Sequence, residues 1–155
     1  MERTQDITTD YLVVGAGAMG LAFVDTLLTE NDSATFLIVD KRALPGGHWV
    51  DAYPFVTLHQ PAAAYGVNSK GLGTGGADLS SHAELMFYFE SVMKKFLATG
   101  RVTFLPLCAC EEFADDEVTI RSVVDTDLSY RVSIKQRLVD ASYMKVQVPA
   151  SHPPK

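Results

Sequence analysis

Tyr11-Leu-Val-Val-Gly15-Ala-Gly17-Ala-Met-Gly20 decides the fold, because a short apolar run breaks into glycines spaced G-x-G-x-x-G and passes directly into helical periodicity. Four apolar residues ending at a glycine read as a strand buried on both faces of a parallel sheet. Behind them Leu21, Val24, Leu27 and Leu28 recur at three and four residues, the spacing of one helix face, and Glu30-Asn-Asp-Ser33 closes the segment with turn chemistry. Thr35-Phe-Leu-Ile-Val-Asp40 then supplies a second apolar run of strand type. Strand, helix and strand within about thirty residues form a βαβ unit.

Each glycine has an expected duty. Gly15 permits the tight turn, Gly17 lets the backbone approach a pyrophosphate, and Gly20 lets the helix pack close to the strand. Ala18 and Met19 fill the intervening positions in the first helical turn, where free N–H groups and the positive end of the helix dipole face an anion. Asp40 ends the second strand 20 residues beyond Gly20 and is placed to accept both hydroxyls of an adenosine ribose. A carboxylate there repels a 2′-phosphate, although Lys41 and Arg42 beside it soften that preference. FAD and NAD both remain as ligands on these residues alone.

Outward from this unit, Lys41 to Ser80 holds seven glycines and three prolines with no sustained period, a connection long enough to carry function. Within it Gly71-Leu-Gly-Thr-Gly-Gly76 has no strand before it and no lysine after its glycines, so it reads as a flexible loop and not a second phosphate loop. Ser81-x-x-Glu84 is a capping box, and the stripe Leu85, Tyr88, Phe89, Val92, Met93, Phe96 and Leu97 carries a helix to Gly100, a natural C′ residue. Val102-Thr-Phe-Leu105 reads as a third parallel strand. Runs near Cys108 to Phe113, Glu117 to Val124 and Tyr130 to Lys135 suggest an antiparallel meander, and Arg137-Leu-Val-Asp-Ala141 a last short strand returning to the parallel sheet. The expected fold is α/β: a doubly wound, Rossmann-like parallel sheet with a small antiparallel β-meander.

Composition agrees with one globular domain. The chain has 155 residues, 47% of them hydrophobic, with a formal charge of −6; at this size it can bury roughly two thirds of the surface of its unfolded chain. An acidic balance without a Lys/Arg run argues against a nucleic-acid partner. The polar start and the glycine-interrupted apolar run from Tyr11 to Leu28 are neither signal peptide nor membrane span. Cys108 and Cys110 share a strand face, cannot easily bridge, and lack the further ligands a zinc site needs, so they read as reduced thiols of a cytoplasmic protein with no metal. Residues 1–148 form the expected dinucleotide-binding domain and 149–155 a Pro-rich tail or truncated linker.

The long loop carries the next signal, Pro45-Gly-Gly-His-Trp49 followed by Asp51-Ala-Tyr-Pro54. The order of G-x-G-x-x-G, an acidic strand end, then G-G-x-W resembles the flavin-dependent monooxygenases of flavin-containing and Baeyer-Villiger type, and the wider FAD-dependent oxidoreductases with two dinucleotide-binding domains. The resemblance implies that Gly46, Gly47 and Trp49 lie along the ribityl chain and ring system of FAD, with His48 in a variable position and Asp40-Lys41 as the acidic-basic pair that holds the ribose. It also implies a flavin reduced by NAD(P)H and the oxygenation of a small organic substrate. Tyr53-Pro54 stands one residue closer to the tryptophan than in Baeyer-Villiger enzymes, and Leu138-Val-Asp-Ala-Ser142 is a degenerate form of the strand that ends in Ala-Thr-Gly.

No stretch matches the family's second glycine fingerprint or its C-terminal Gly-Asp segment, so the chain is expected to be the first part of a longer flavoprotein. Asn68 in Tyr65-Gly-Val-Asn68 resembles an asparagine near the reactive flavin edge in flavin-containing monooxygenases. His59 and Gln60 are loop candidates for cofactor contact. His82, in the first turn of a helix, is expected to be exposed, and no residue is assigned as catalytic acid or base. Two alternatives stand beside this reading: an NAD-dependent oxidoreductase, and a non-catalytic dinucleotide-binding remnant. The sequence carries no signal for an oligomeric state.

Overall fold

The computed structural model describes residues 3–114 and 116–142. In chain order its elements are β1 (Arg3–Val14), α1 (Ala18–Glu30), β2 (Phe36–Asp40), short 3-10 turns at Gly47–Asp51 and Ala62–Ala64, the hairpin strands β3 (Gly66–Val67) and β4 (Lys70–Gly71), α2 (His82–Ala98), β5 (Val102–Pro106), β6 (Cys108–Cys110), β7 (Glu117–Ser122) and β8 (Leu128–Asp140). Six strands form one sheet in the order β5-β2-β1-β8-β7-β6, with β3 and β4 pairing apart from it. The fold is a Rossmann-like α/β fold.

Alternation along the central strands sorts their side chains between two cores. Val13, Phe36 and Ile38 pack with Leu21 and Val24 of α1 and with Leu85, Phe89 and Phe96 of α2. Leu12, Leu37 and Val39 face the other way, onto Cys108, Val118, Ile120, Val132 and Ile134. Both helices therefore cover one face, and the meander strands cover the other. This is why all five residues of β2 are buried and why its sequence shows a continuous apolar run instead of an alternation.

Local chemistry bounds α2. At the start of α2 the Ser81 hydroxyl accepts from the Glu84 amide while the Glu84 carboxylate accepts from the Ser81 amide at 2.7 Å, a complete capping box. Gly100 follows its end with φ +70°. The C-terminus of α1 is closed from a distance: the Arg101 guanidinium donates to the carbonyls of Leu28 at 2.9 Å and Asn31 at 2.6 Å, satisfying acceptors that the helix itself leaves open.

Two elements differ from the sequence expectation. β1 starts at Arg3, not Tyr11; its polar first half, Arg3 to Thr9, pairs in parallel with Leu128 to Ile134 of β8. The expected third meander strand and the expected last strand are a single strand, β8, antiparallel to β7 along its first half and parallel to β1 along its whole length. The meander and the parallel sheet are thus fused through one shared strand. Among the described residues no helix is long and apolar enough to cross a membrane. The Pro-rich end and Tyr143 lie outside the described residues.

Candidate functional site

The glycine turn sits at the carboxyl end of β1, between the ends of β2 and β8. Gly15 donates its amide to Val39 at 2.8 Å, and Ala141 donates to Val14 at 2.9 Å. Gly15 has φ +114°, and a Cβ there would lie 2.8 Å from the Ala141 carbonyl oxygen, so both conformation and space require glycine. A Cβ on Gly20 would lie 2.0 Å from the Gly15 carbonyl oxygen. That distance measures how closely α1 packs on the strand it follows.

The helix that follows is left open at its N-terminus. Gly17 is its N-cap, no side chain caps it, and no acidic residue lies in its first turn. The first helical bond is Leu21 N–H to the Gly17 carbonyl at 3.0 Å, so the amides of Ala18, Met19 and Gly20 have no intrahelical acceptor. The same chain seals α2 with two side chains. Met19 is 74% exposed, lying along the outer flank of α1 beside Phe23.

The G-G-H-W loop rests directly on this turn. Gly46 donates to the Ala16 carbonyl at 2.8 Å. Gly47, with φ +59°, faces Gly17: a Cβ on Gly47 would stand 2.9 Å from the Gly17 Cα, and one on Gly17 would stand 3.4 Å from the Gly47 Cα. The side-chain direction of Gly17 is therefore closed by the second glycine motif. Asp40 braces the same turn: its carboxylate accepts from the Ala16 amide at 2.8 Å and from the Arg42 amide at 2.8 Å. The side chain is 5% exposed, and each oxygen carries one backbone bond. Lys41 is exposed. Arg42 bridges the two carboxylates, donating to Asp51 through Nε at 2.7 Å with a second nitrogen 2.6 Å away, while its remaining nitrogen stands 3.9 Å from Asp40.

Trp49, the single tryptophan of the chain, is held at both ends. Its indole Nε1 donates to the Tyr65 hydroxyl at 2.9 Å, and its carbonyl lies 2.8 Å from His82 Nε2. His82 is thus a support of the loop, a role that its exposed place in the sequence pattern did not reveal. The His48 ring lies 5.2 Å from the Trp49 ring, tilted by 33°. Desolvation and the nearby Arg42 guanidinium push the His48 imidazole below its ordinary range, with Asp51 opposing. Burial raises the Tyr65 phenol.

Gly15, Gly17, Ala18, Met19, Gly20, Asp40, Gly46, Gly47 and Trp49 are brought to one end of the sheet. Asn68 lies in the turn of the β3–β4 hairpin, and that turn is anchored elsewhere: the Ser69 amide donates to Asp25 at 2.9 Å, and Lys95 reaches the Ser69 hydroxyl at 2.7 Å. Asp25 stands eight residues beyond Gly17, about 12 Å along the helix at 1.5 Å per residue. His59 and Gln60 are exposed on the loop. Tyr65, His82, Arg42 and Asp51 were not legible as partners, because each meets the loop through a contact that no spacing rule encodes.

No protein-family profile matches the sequence. The chain is 44% identical, over 95% of its length, to the uncharacterized proteins Rv2000 of Mycobacterium tuberculosis and Mb2023 of Mycobacterium bovis. It spans 28% of the length of those relatives. Among solved structures it resembles a flavin-containing monooxygenase from Stenotrophomonas maltophilia, with TM-score 0.66 and 17% identity over 88% of this chain and 38% of that one. A polycyclic ketone monooxygenase from Thermothelomyces thermophila gives TM-score 0.68 and 13% identity over 91% of this chain and 24% of that one. A bacillithiol disulfide reductase from Staphylococcus aureus gives 0.63 and 14% over 90% and 39%. The likeness is one of fold.

Proposed function

We propose that the chain binds FAD and forms, through residues 1–148, the dinucleotide-binding part of an NAD(P)H-dependent flavoprotein oxidoreductase of monooxygenase type that acts on a small organic substrate. The observation that carries this reading is the open N-terminus of α1, capped by glycine and free of acidic side chains, with the G-G-H-W loop packed against it. An anion fits there because unpartnered amides and the helix dipole act together. Monooxygenases and a disulfide reductase with the same fold support the choice of reaction class.

In this reading the amides of Ala18, Met19 and Gly20 hold the pyrophosphate, and the remaining lone pairs of Asp40 hold the ribose. The Asp40 carboxylate repels a 2′-phosphate, which favours free ribose hydroxyls. Gly46, Gly47, His48 and Trp49 flank the flavin side. Bound FAD would supply the electron transfer between NAD(P)H and oxygen, and the chain's part is to bind, orient and shield it. Both cysteines are free thiols, which supports a reducing, cytoplasmic setting.

Because Trp49 is the only tryptophan, its emission tests the reading directly. Titration with FAD is expected to quench it in a saturable way, with NAD much weaker. Saturable quenching by NAD but not FAD would favour a nicotinamide-binding domain, and quenching by neither would refute dinucleotide binding.

A further inference from the structure

We propose that Tyr65 is a positioning residue for the ligand site: its hydroxyl fixes the plane of the Trp49 indole and thereby the flavin side of the bound dinucleotide. The proposal rests on the FAD reading above and deepens it by adding a residue outside both glycine motifs.

The argument starts from what Trp49 needs. An indole carries one polar atom, a donor, and burying it unpaired is costly. Tyr65 accepts from it at 2.9 Å from sixteen positions away in the sequence. Tyr65 is itself held: its ring meets Phe89 edge-on, with centroids 6.3 Å apart and planes at 78°.

The backbone behind it is equally fixed. The Tyr88 hydroxyl accepts from the Val67 amide at 2.7 Å and donates to the Lys70 carbonyl at 2.6 Å, clamping both strands of the hairpin to α2. Gly66, next to Tyr65, has φ +116° and packs so tightly that a Cβ would stand 2.4 Å from the Tyr88 oxygen. Tyr65 thus projects from a rigid base, and its oxygen reaches the one polar atom of the indole. His82 holds the other end of the same residue through the Trp49 carbonyl. A phenylalanine at position 65 would keep the packing on Phe89 and remove only the bond to the indole.

The pyrophosphate end of the site contains none of these groups. Loss of the Tyr65 hydroxyl should therefore weaken the flavin part of the ligand selectively.

The test compares Tyr65→Phe with the wild-type chain, each alone and in a Trp49→Phe background, using ADP and FAD as ligands. In the single variant the tryptophan emission should shift, FAD should bind about three- to tenfold more weakly, the effect of one lost hydrogen bond, and ADP should bind within about twofold of wild type. In the Trp49→Phe background, Tyr65→Phe should change FAD affinity by less than about twofold, because its route runs through the indole. An unchanged emission spectrum, or an equal loss of FAD affinity without the tryptophan, would overturn the proposal. A wild-type chain that bound neither ADP nor FAD would instead refute the dinucleotide reading, and the emission of Tyr65→Phe would still decide whether Tyr65 sets the indole.

Discussion

The contact between the two glycine motifs makes an unequal prediction for two residues that face each other. Gly47 sits at φ +59° with its side-chain direction 2.9 Å from the Gly17 Cα. Gly47→Ala therefore meets a left-handed backbone penalty of about 1–2 kcal/mol and an overpacking cost of about 1–3 kcal/mol, since the atom in the way is backbone. A less flexible unfolded chain returns only about 0.4–1 kcal/mol. The net loss is about 2–4 kcal/mol.

Gly17 is in the extended region, φ −85° and ψ −173°, and its Cβ would make ordinary contact at 3.4 Å. Gly17→Ala loses about 0.5–1 kcal/mol as a poorer N-cap and regains a similar amount from the unfolded state, leaving a change near zero. In urea melts followed by Trp49 emission and by circular dichroism, Gly47→Ala should lower the midpoint clearly while Gly17→Ala leaves it in place. Thermal melts should show a fall of roughly 4–16 °C for Gly47→Ala alone. Equal losses in the two variants, or a harmless Gly47→Ala, would show that the loops do not pack in this way.

Two further outcomes follow from charge. The Asp10 carboxyl is held below its ordinary range by the Thr35 amide and hydroxyl, each donating at 2.8 Å. A depressed carboxyl stabilises the fold above its unfolded value of about 4 and loses that contribution as pH falls through the lower folded value. Asp10→Asn should therefore cost up to about 1 kcal/mol at pH 7, and the gap to wild type should close in acid melts; a gap independent of pH would count against it. Met19→Glu places an acid in the first turn of α1 at a site that is 74% exposed, so stability should hold or rise by a few tenths of a kcal/mol, about what a dipole contact gives. A clear loss of stability would mean that the helix does not begin at Ala18.

Much of the fold was legible because it is written in local periods. The βαβ unit, the capping box and the end of α2 at Gly100 each depend on residues within a few positions of one another. The first half of β1 was not legible, since Arg3 to Thr9 is polar and becomes a strand by pairing with β8, more than a hundred residues away. The fusion of the last two expected strands into β8 has the same origin, because β1 and β7, pairing along its two sides, keep it continuous. At the site, the turn at Gly15 and the packing of Gly20 follow from the fingerprint. The facing of Gly17 and Gly47 does not, and neither do the supports given by Tyr65, His82 and Asp51, which depend on where the long loop folds back.

The most direct test of the central claim is the absorption spectrum of the protein after incubation with FAD and desalting, with Met19→Glu run beside it. Wild type should retain flavin bands between roughly 350 and 500 nm, and the variant, equally folded, should lose them because a carboxylate in the first turn repels the pyrophosphate. Wild type emerging colourless, or the variant retaining flavin as well as wild type does, would contradict binding at the N-terminus of α1.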